Sequence, residues 1–272
     1  QSMEHILDFM KPLKEDYPEA DIRYAGIVYM EYLSPLILKA EMPILVPTLL
    51  FVILLSLFIL LRNLTAVASS LIVIIFSVIT SLGILGHFNT TVSQPIIMVP
   101  ILVATLAVAD CVHLFNVYFQ NKLKSNTKDS ITKSLELNLE PLLLTSLTTS
   151  IGFLCLNLAP IPALRVIANG IAIGVVAAFI FSIFFLAPLL SFFNVKASSQ
   201  IENQTKLSRR VGQFSLNHRK KIIWLVPIFS AILMSFIPLN ETKDNPSEFY
   251  TDRHTSAAED TIWLANRLGG TF

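Results

Sequence analysis

Charged side chains are scarce in this sequence, and this shortage limits the class of protein it can encode. Asp, Glu, Lys and Arg make up 14% of the 272 residues, whereas soluble globular proteins carry roughly 25%. The hydrophobic fraction is 53% and the mean hydropathy is +0.64. Apolar runs of about 20 residues, the length that crosses a bilayer as a helix, recur along the chain. The composition therefore predicts a polytopic α-helical membrane protein.

The absence of other sequence features excludes several classes of function. The net charge is +1, and no basic block is long enough to indicate a nucleic-acid partner. The two cysteines, Cys111 and Cys155, both fall within apolar runs, so we expect small core residues and no structural disulfide. No Ser–His–Asp pattern, nucleotide-binding loop or metal-ligand spacing is present. We therefore expect neither an enzyme nor a cofactor or metal site.

Six membrane spans are predicted at about 43–61, 65–86, 96–119, 142–158, 165–190 and 222–239. Lysines and arginines concentrate in the connections at 62, 122–133 and 196–221, while the loops 87–95 and 159–164 contain none. Because cytoplasmic loops carry the excess of basic residues, both ends of the chain are predicted on the outer side, the periplasm or its equivalent.

The segments outside the spans suggest further elements. Residues 1–42 read as a helix followed by a strand that includes Ile27–Tyr29, and 255–268 read as a helix, which is typical of α+β domains. Residues 127–140 form an amphipathic pattern, either a helix on the inner membrane surface or one packed on the end of the bundle. Residues 194–221 read as a polar inner linker. Because the chain starts at Gln1 and stops near another element, we expect a piece of a larger protein.

The strongest functional signal is a pair of ionisable residues inside the third span. Asp110 and His113 are three residues apart, which places them on the same side of a helix. Ionisable residues within membrane spans usually face the bundle interior or a water path and serve function. The pair predicts a proton relay, in which the two groups interact directly or through one water. The alternative is a polar pair that only holds helices together.

The fourth and fifth spans contain further candidates. Thr145, Thr148 and Thr149 form a hydroxyl row that could either partner Asp110 or bond to carbonyls of its own helix. Asn169 is a weaker candidate for the polar interior. Three glycines are predicted at close helix contacts: Gly152, Gly170 and Gly174.

Two motifs carry a resemblance to a known family. The runs Ala107–Leu114 (AVADCVHL) and Glu140–Phe153 (EPLLLTSLTTSIGF) resemble the resistance–nodulation–division (RND) superfamily. The most similar branch is that of the MMPL-like predicted exporters, whose membrane part resembles the sterol-sensing domain. Further matches are Ala159–Pro162 and Asn266–Thr271.

The resemblance implies a domain plan with two similar halves. Residues 1–42 would end the first periplasmic porter domain, 43–193 would supply five spans of the first bundle, and 194–221 would be the cytoplasmic linker. Residues 222–239 would be the first span of the second half, and 240–272 would begin its porter domain. The remainder of the second half would lie outside this chain.

The same resemblance implies a function. Asp110 falls on the fourth-helix acidic position of the family, which takes part in proton translocation. We therefore expect an exporter in a bacterial inner membrane, driven by the proton motive force. Its expected partners are protons, membrane lipids, a hydrophobic substrate, the missing second half and a possible second copy. Two alternatives are a lipid sensor or scaffold that does not pump, and an accessory subunit of protein translocation.

Overall fold

The computed structural model describes most of the membrane region and a few residues near each end. The described residues are Ile6, Pro12, Asp16, Tyr17, Glu19, Arg23, 27–88, 94–193, 195, 201–240, 259–260, 263–264 and 267. Within them the chain forms helices and no strand. The α-helices are α1 (Ile27–Leu61), α2 (Leu64–His87), α3 (Met98–Lys122), α4 (Thr127–Leu154), α5 (Pro162–Ile180), α6 (Leu186–Phe193), α7 (Ile201–Asn217) and α8 (Arg219–Met234).

Short turns of other helix types adjoin these elements. There are 3₁₀ turns at Gln94–Ile97, Cys155–Leu158 and Ile237–Leu239. A π-helical turn at Phe181–Phe185 joins α5 to α6, so the fifth span continues through it. π-helical turns inside longer helices often occur at functional sites, because the extra residue changes which side chains face inward.

Six helices in the described part of the chain are long and apolar enough to cross a membrane, which confirms the predicted number. They are Lys39–Leu61, Leu64–His87, Met98–Lys122, Thr127–Leu158, Pro162–Phe193 and Arg219–Leu239. The protein is thus a polytopic α-helical membrane protein.

The chain divides into two compact units. The larger unit is Met42–Val211, and the smaller comprises Gln1–Glu41 and Gly212–Phe272. In the larger unit, α3 packs against α2, α4 and α5, and α5 also packs against α2 and α4. Leu57, Ala107, Phe115, Tyr118 and Leu186 are among the fully buried side chains of its core. The Tyr118 hydroxyl donates to the Val195 carbonyl over 2.7 Å, which ties α3 to the segment after α6.

The fourth span differs from its prediction as a surface helix followed by a shorter span. Helix α4 runs without interruption from Thr127 to Leu154, through Pro141. Its first half is packed on the bundle, since Ser134 is buried and its hydroxyl donates to the Leu114 carbonyl of α3 over 2.6 Å. Of the two interpretations of 127–140, the structure therefore supports the packed helix. The interpretation of 127–140 as a helix on the inner membrane surface is therefore wrong.

One other local expectation is corrected. Ile27–Tyr29, predicted as strand, begins α1, because the helix continues directly into the first span. The segment predicted as an inner linker contains the helix α7 (Ile201–Asn217), and its role as a linker stays a prediction. The porter domains remain predictions, and many of the residues assigned to them lie outside the described residues.

The smaller unit contains a cluster centred on Trp263. The guanidinium of Arg23 lies 4.5 Å from the Trp263 ring centre, and that of Arg267 lies 4.4 Å from it. Arg23 also pairs with Asp260, with 3.6 Å between the charged atoms. These contacts join the region before the first span to the region after the sixth.

Candidate functional site

Asp110 lies on the buried side of α3, in the middle of a membrane span. The residue is 9% exposed, and Ala107, Cys111 and Leu114 beside it on the helix are buried too. Among the residues that the structure describes, none donates a hydrogen bond to its carboxyl group. A charged carboxylate without hydrogen bonds is expensive in such surroundings, whereas a protonated carboxyl is far less so. Proton binding is therefore strongly coupled to the environment of this residue.

His113 is not held against Asp110. Its side chain is exposed while Asp110 is buried. No ion pair or hydrogen bond joins these two described residues. A relay that uses both would need a bridging water or a change of side-chain conformation, and it remains a prediction.

Small polar side chains surround the neighbouring residue, Cys111. The Ser182 hydroxyl, in the π-helical turn, lies 4.0 Å from the Cys111 sulfur. The buried hydroxyl of Ser70 in α2 interacts with the same sulfur. We call Ser70, Asp110, Cys111 and Ser182 the Asp110 cluster. Its residues lie on α2, α3 and the fifth span, three elements that pack together.

The interior face of α4 is a series of small and polar residues at intervals of four. The buried members are Ser130, Ser134, Asn138, Leu142, Ser146 and Ser150. The hydroxyl of Ser150 donates to the Ala172 carbonyl of α5 over 3.4 Å, so this face contacts α5 as well as α3. This face was not predicted from the sequence, although its period of four was visible there.

Thr145 and Thr148 of the threonine row face outward, which corrects their assignment to the polar interior. Thr145 and Thr148 are exposed, and Thr149 is half-buried. The Thr145 hydroxyl donates to the Leu142 carbonyl over 3.0 Å, and that of Thr148 donates to the Leu144 carbonyl over 2.8 Å. Since the hydroxyls of Thr145 and Thr148 bond to carbonyls of their own helix, they need no partner on another helix.

Asn138 is the polar side chain of α4 that the helix register places at the level of Asp110. Helices α3 and α4 are consecutive and antiparallel, and the Ser134–Leu114 bond fixes their register. One turn back along α3 from Leu114 is Asp110, and one turn forward along α4 from Ser134 is Asn138. Both moves are about 6 Å in the same direction. Asn138 is buried, and its amide donates to the Ser134 carbonyl over 2.8 Å.

Asn169 has a different partner. The amide of Asn157 donates to its side-chain oxygen over 3.0 Å. This pair links the 3₁₀ turn after α4 to α5 near the short connection 159–161. Asn169 is thus half-buried at one end of the bundle, where its side chain contacts Asn157 and not Asp110.

The three glycines have different surroundings. A Cβ added to Gly170 would lie 2.8 Å from Leu85 and 2.9 Å from Val99, and one added to Gly174 would collide with Val103. These two glycines allow α5 to approach α2 and α3 closely. The Gly170 carbonyl also accepts a hydrogen bond from Ser81 over 2.6 Å. Gly152 has open space around it and is exposed, so its assignment to helix packing is corrected.

Metal coordination finds no support in the described segments. Nowhere in them do three or more His, Cys, Asp or Glu side chains come together in a way that could hold a metal ion.

Comparison with known families gives a match over the membrane region. The model of the family described as "Sterol-sensing domain of SREBP cleavage-activation" matches residues 60–210, more than half of the chain. The matched region begins at the end of α1 and contains α2 to α6, including every residue of the Asp110 cluster. No curated protein matches the chain.

Proposed function

The chain belongs to the sterol-sensing domain family, and on that premise we propose that it moves a lipid or another hydrophobic molecule, using protons bound and released at Asp110. The finer assignment to the MMPL-like branch of the RND superfamily is part of this proposal. It is supported by the motifs Ala107–Leu114 and Glu140–Phe153. The proposal also places the protein in a bacterial inner membrane, with both chain ends on the outer side. It further includes a similar second half, or a second copy, as a partner.

One observation carries the proposal: Asp110 is a buried carboxyl group to which no described residue donates a hydrogen bond. A carboxyl that served only to join helices would be expected to bond to its neighbours, because an unpaired buried polar group costs free energy. Because no hydrogen bond from the described residues stabilises the charged carboxylate, binding and release of a proton strongly change the free energy of the helix packing around Asp110. This property suits a group that drives a conformational change.

The mechanism follows from the packing around α3. When Asp110 is charged, its carboxylate favours an arrangement that admits water between the helices. When it is protonated, it tolerates the close packing of the described structure. Because α3 contacts α2, α4 and α5, a change in the packing of α3 would move helices throughout the bundle. Protons can bias such a shift only if the two arrangements differ in proton affinity.

The experiment is proton-coupled transport by the full-length protein in liposomes that contain a trapped pH-sensitive dye. A fluorescent phospholipid serves as the probe for lipid movement. We expect Asp110→Asn to abolish the proton flux that accompanies lipid movement, because the amide cannot take up a proton. Asp129→Asn is the matched control, since Asp129 is exposed in the first turn of α4. Full proton-coupled activity of Asp110→Asn would refute the proposal.

A lipid sensor or scaffold without pumping is the second candidate. The family match favours it, and so does the exposure of His113, which leaves Asp110 without an ionisable partner among the described side chains. In this case Asp110→Asn would leave proton permeability unchanged. A photoreactive sterol would still crosslink to the bundle at the same level in wild-type and variant protein.

A further inference from the structure

A cationic segment joins the end of α7 to the start of α8, and we call residues 209–221 the basic segment. It contains no Asp or Glu, and its basic residues are Arg209, Arg210, Arg219, Lys220 and Lys221. Every side chain in the segment is exposed. No carboxylate among the described residues pairs with these cations. The basic segment therefore presents a positive charge that the described part of the chain does not neutralise.

The basic segment lies at the membrane surface, because α8 is part of the sixth span, Arg219–Leu239. Helix α7 ends at Asn217, and a single residue, His218, separates it from α8. The His218 amide donates to the Phe214 carbonyl over 3.0 Å, and the Ile222 amide donates to the His218 carbonyl over 3.0 Å. Since the hydrogen bonding continues across this junction, the last turns of α7 lie directly beside the surface at which the sixth span begins.

The end of α7 has an apolar side and a polar side. Val211 and Phe214 are three residues apart, which places them on the same side of the helix, and they are 60% and 61% exposed. The His218 ring packs against the Phe214 ring on this side, with 4.5 Å between the ring centres. By the helical period, Arg209 and Gln213 lie on the opposite side. Aromatic and aliphatic residues on one side and basic residues on the other are typical of helices that lie in a membrane interface.

The stability of α8 does not explain its basic first turn. The N-terminus of a helix carries a partial positive charge, so Arg219, Lys220 and Lys221 are unfavourable there unless anions lie near them. Basic residues beside a span also set its orientation, but orientation requires no amphipathic helix with an exposed Phe214. An acidic protein would neutralise the cations but leave the apolar side unexplained. Anionic phospholipids account for both features, and clusters of four to eight basic residues at a span are typical of sites that bind them.

We propose that the basic segment binds anionic phospholipids of the leaflet in which the sixth span begins. Val211 and Phe214 enter the boundary between headgroups and acyl chains. Arg209 and Arg210 contact the lipid phosphates, because their side chains are long enough to reach them from the polar side and a guanidinium donates two parallel hydrogen bonds to a phosphate. The inference goes beyond the proposed function, since it concerns lipids that hold the protein and neither a transported substrate nor a proton.

The test is photocrosslinking of the full-length protein in nanodiscs that contain equal amounts of phosphatidylglycerol and phosphatidylcholine. In one sample the phosphatidylglycerol carries a diazirine in its acyl chain, and in the other sample the phosphatidylcholine carries it. After irradiation and trypsin digestion, mass spectrometry measures the crosslink yield of the peptide containing Phe214. The ratio of the two yields reports the preference for the anionic lipid. The peptide that begins at Ile222, in the apolar part of the sixth span, gives the reference ratio in the same digests.

We expect the ratio in the wild type to be well above the reference. Arg209→Gln combined with Arg210→Gln should lower it by about fivefold for each charge removed, and no further than the reference. Lys124→Gln combined with Lys128→Gln is the matched control. It removes the same charge from exposed positions outside the basic segment and should leave the ratio unchanged. Thermal unfolding of each variant verifies that it is folded.

Two results would overturn the proposal. One is a wild-type ratio equal to the reference, which is measured without any variant and does not depend on the folding of one. The other is the same ratio in the arginine double variant and in the lysine control. Neither measurement involves Asp110. Failure here therefore leaves the proposed function standing, and failure of the transport assay leaves this inference standing.

Discussion

Gly174 provides the most sharply defined test of the helix packing. Its backbone lies so close to Val103 of α3 that an added Cβ would collide with one methyl group and lie 2.9 Å from the other. The Cβ of Val103 itself would be 3.1 Å away. Valine is branched at Cβ and has few alternative rotamers, so it cannot move aside without displacing α3. Gly174→Ala should therefore force α5 and α3 apart.

The expected magnitude follows from overpacking. Inserting extra methyl groups into a well-packed core costs typically about 1–3 kcal/mol. The control is Gly152→Ala, which makes the same chemical change inside α4 where nothing lies within 4 Å of the added atom. Removing a glycine from a helix interior should stabilise the protein by about 0.5–1 kcal/mol. Gly174→Ala gains the same amount from its helix, so the two variants should differ in free energy of unfolding by the overpacking cost alone, about 1–3 kcal/mol.

The assay is reversible unfolding in mixed micelles, titrated with a denaturing detergent and followed by circular dichroism. Gly174→Ala should unfold at a lower detergent fraction than the wild type, and Gly152→Ala at an equal or higher one. Equal midpoints for the two variants would show that α5 does not pack on α3 as described.

Two further predictions concern buried hydroxyl groups. Ser81→Ala should destabilise the bundle by about 0.6 kcal/mol, the average for hydrogen bonds between membrane helices, and by no more than about 1.7 kcal/mol, because its hydroxyl donates to the carbonyl of Gly170 on another helix. Ser77→Ala is its control, since the Ser77 hydroxyl bonds to Val73 of its own helix, and equal losses in the same detergent titration would contradict the assignment. Tyr118→Phe should cost about 1–3 kcal/mol, because it leaves the Val195 carbonyl without the donor it has here. An unchanged unfolding midpoint would contradict this.

The sequence was a good guide to the membrane spans, for a simple physical reason. A span needs about 20 apolar residues, and runs of that length are rare by chance. All six spans were found, and most ends agree within a few residues. The predicted fourth span, 142–158, is too short, because a proline and polar residues directly before it favour two separate helices when only the sequence is considered. Burial of Ser130, Ser134 and Asn138 on the interior face keeps α4 continuous.

The side-chain assignments were harder to predict, since exposure inside a membrane does not follow hydrophobicity. Leu144, Leu147 and Ile151 of α4 are exposed, while Ser146 and Ser150 are buried. Helices in lipid associate through small and polar faces and turn their leucines outward. The sequence predicts a row of hydroxyl groups in the polar interior of this span, but it favours the threonines over the serines. Their spacing of three and four fits a helix face as well as the serine spacing does, and only the packing distinguishes the two.

The central claim is that Asp110 couples a proton gradient to the movement of a lipid. Its most direct test is the rate at which the wild-type full-length protein moves a fluorescent phospholipid in liposomes, measured with and without an imposed pH gradient. A rate that rises with the gradient, and falls to the protein-free level when a protonophore dissipates it, is the predicted result. A rate that is the same with and without the gradient would contradict the claim and favour the sensor.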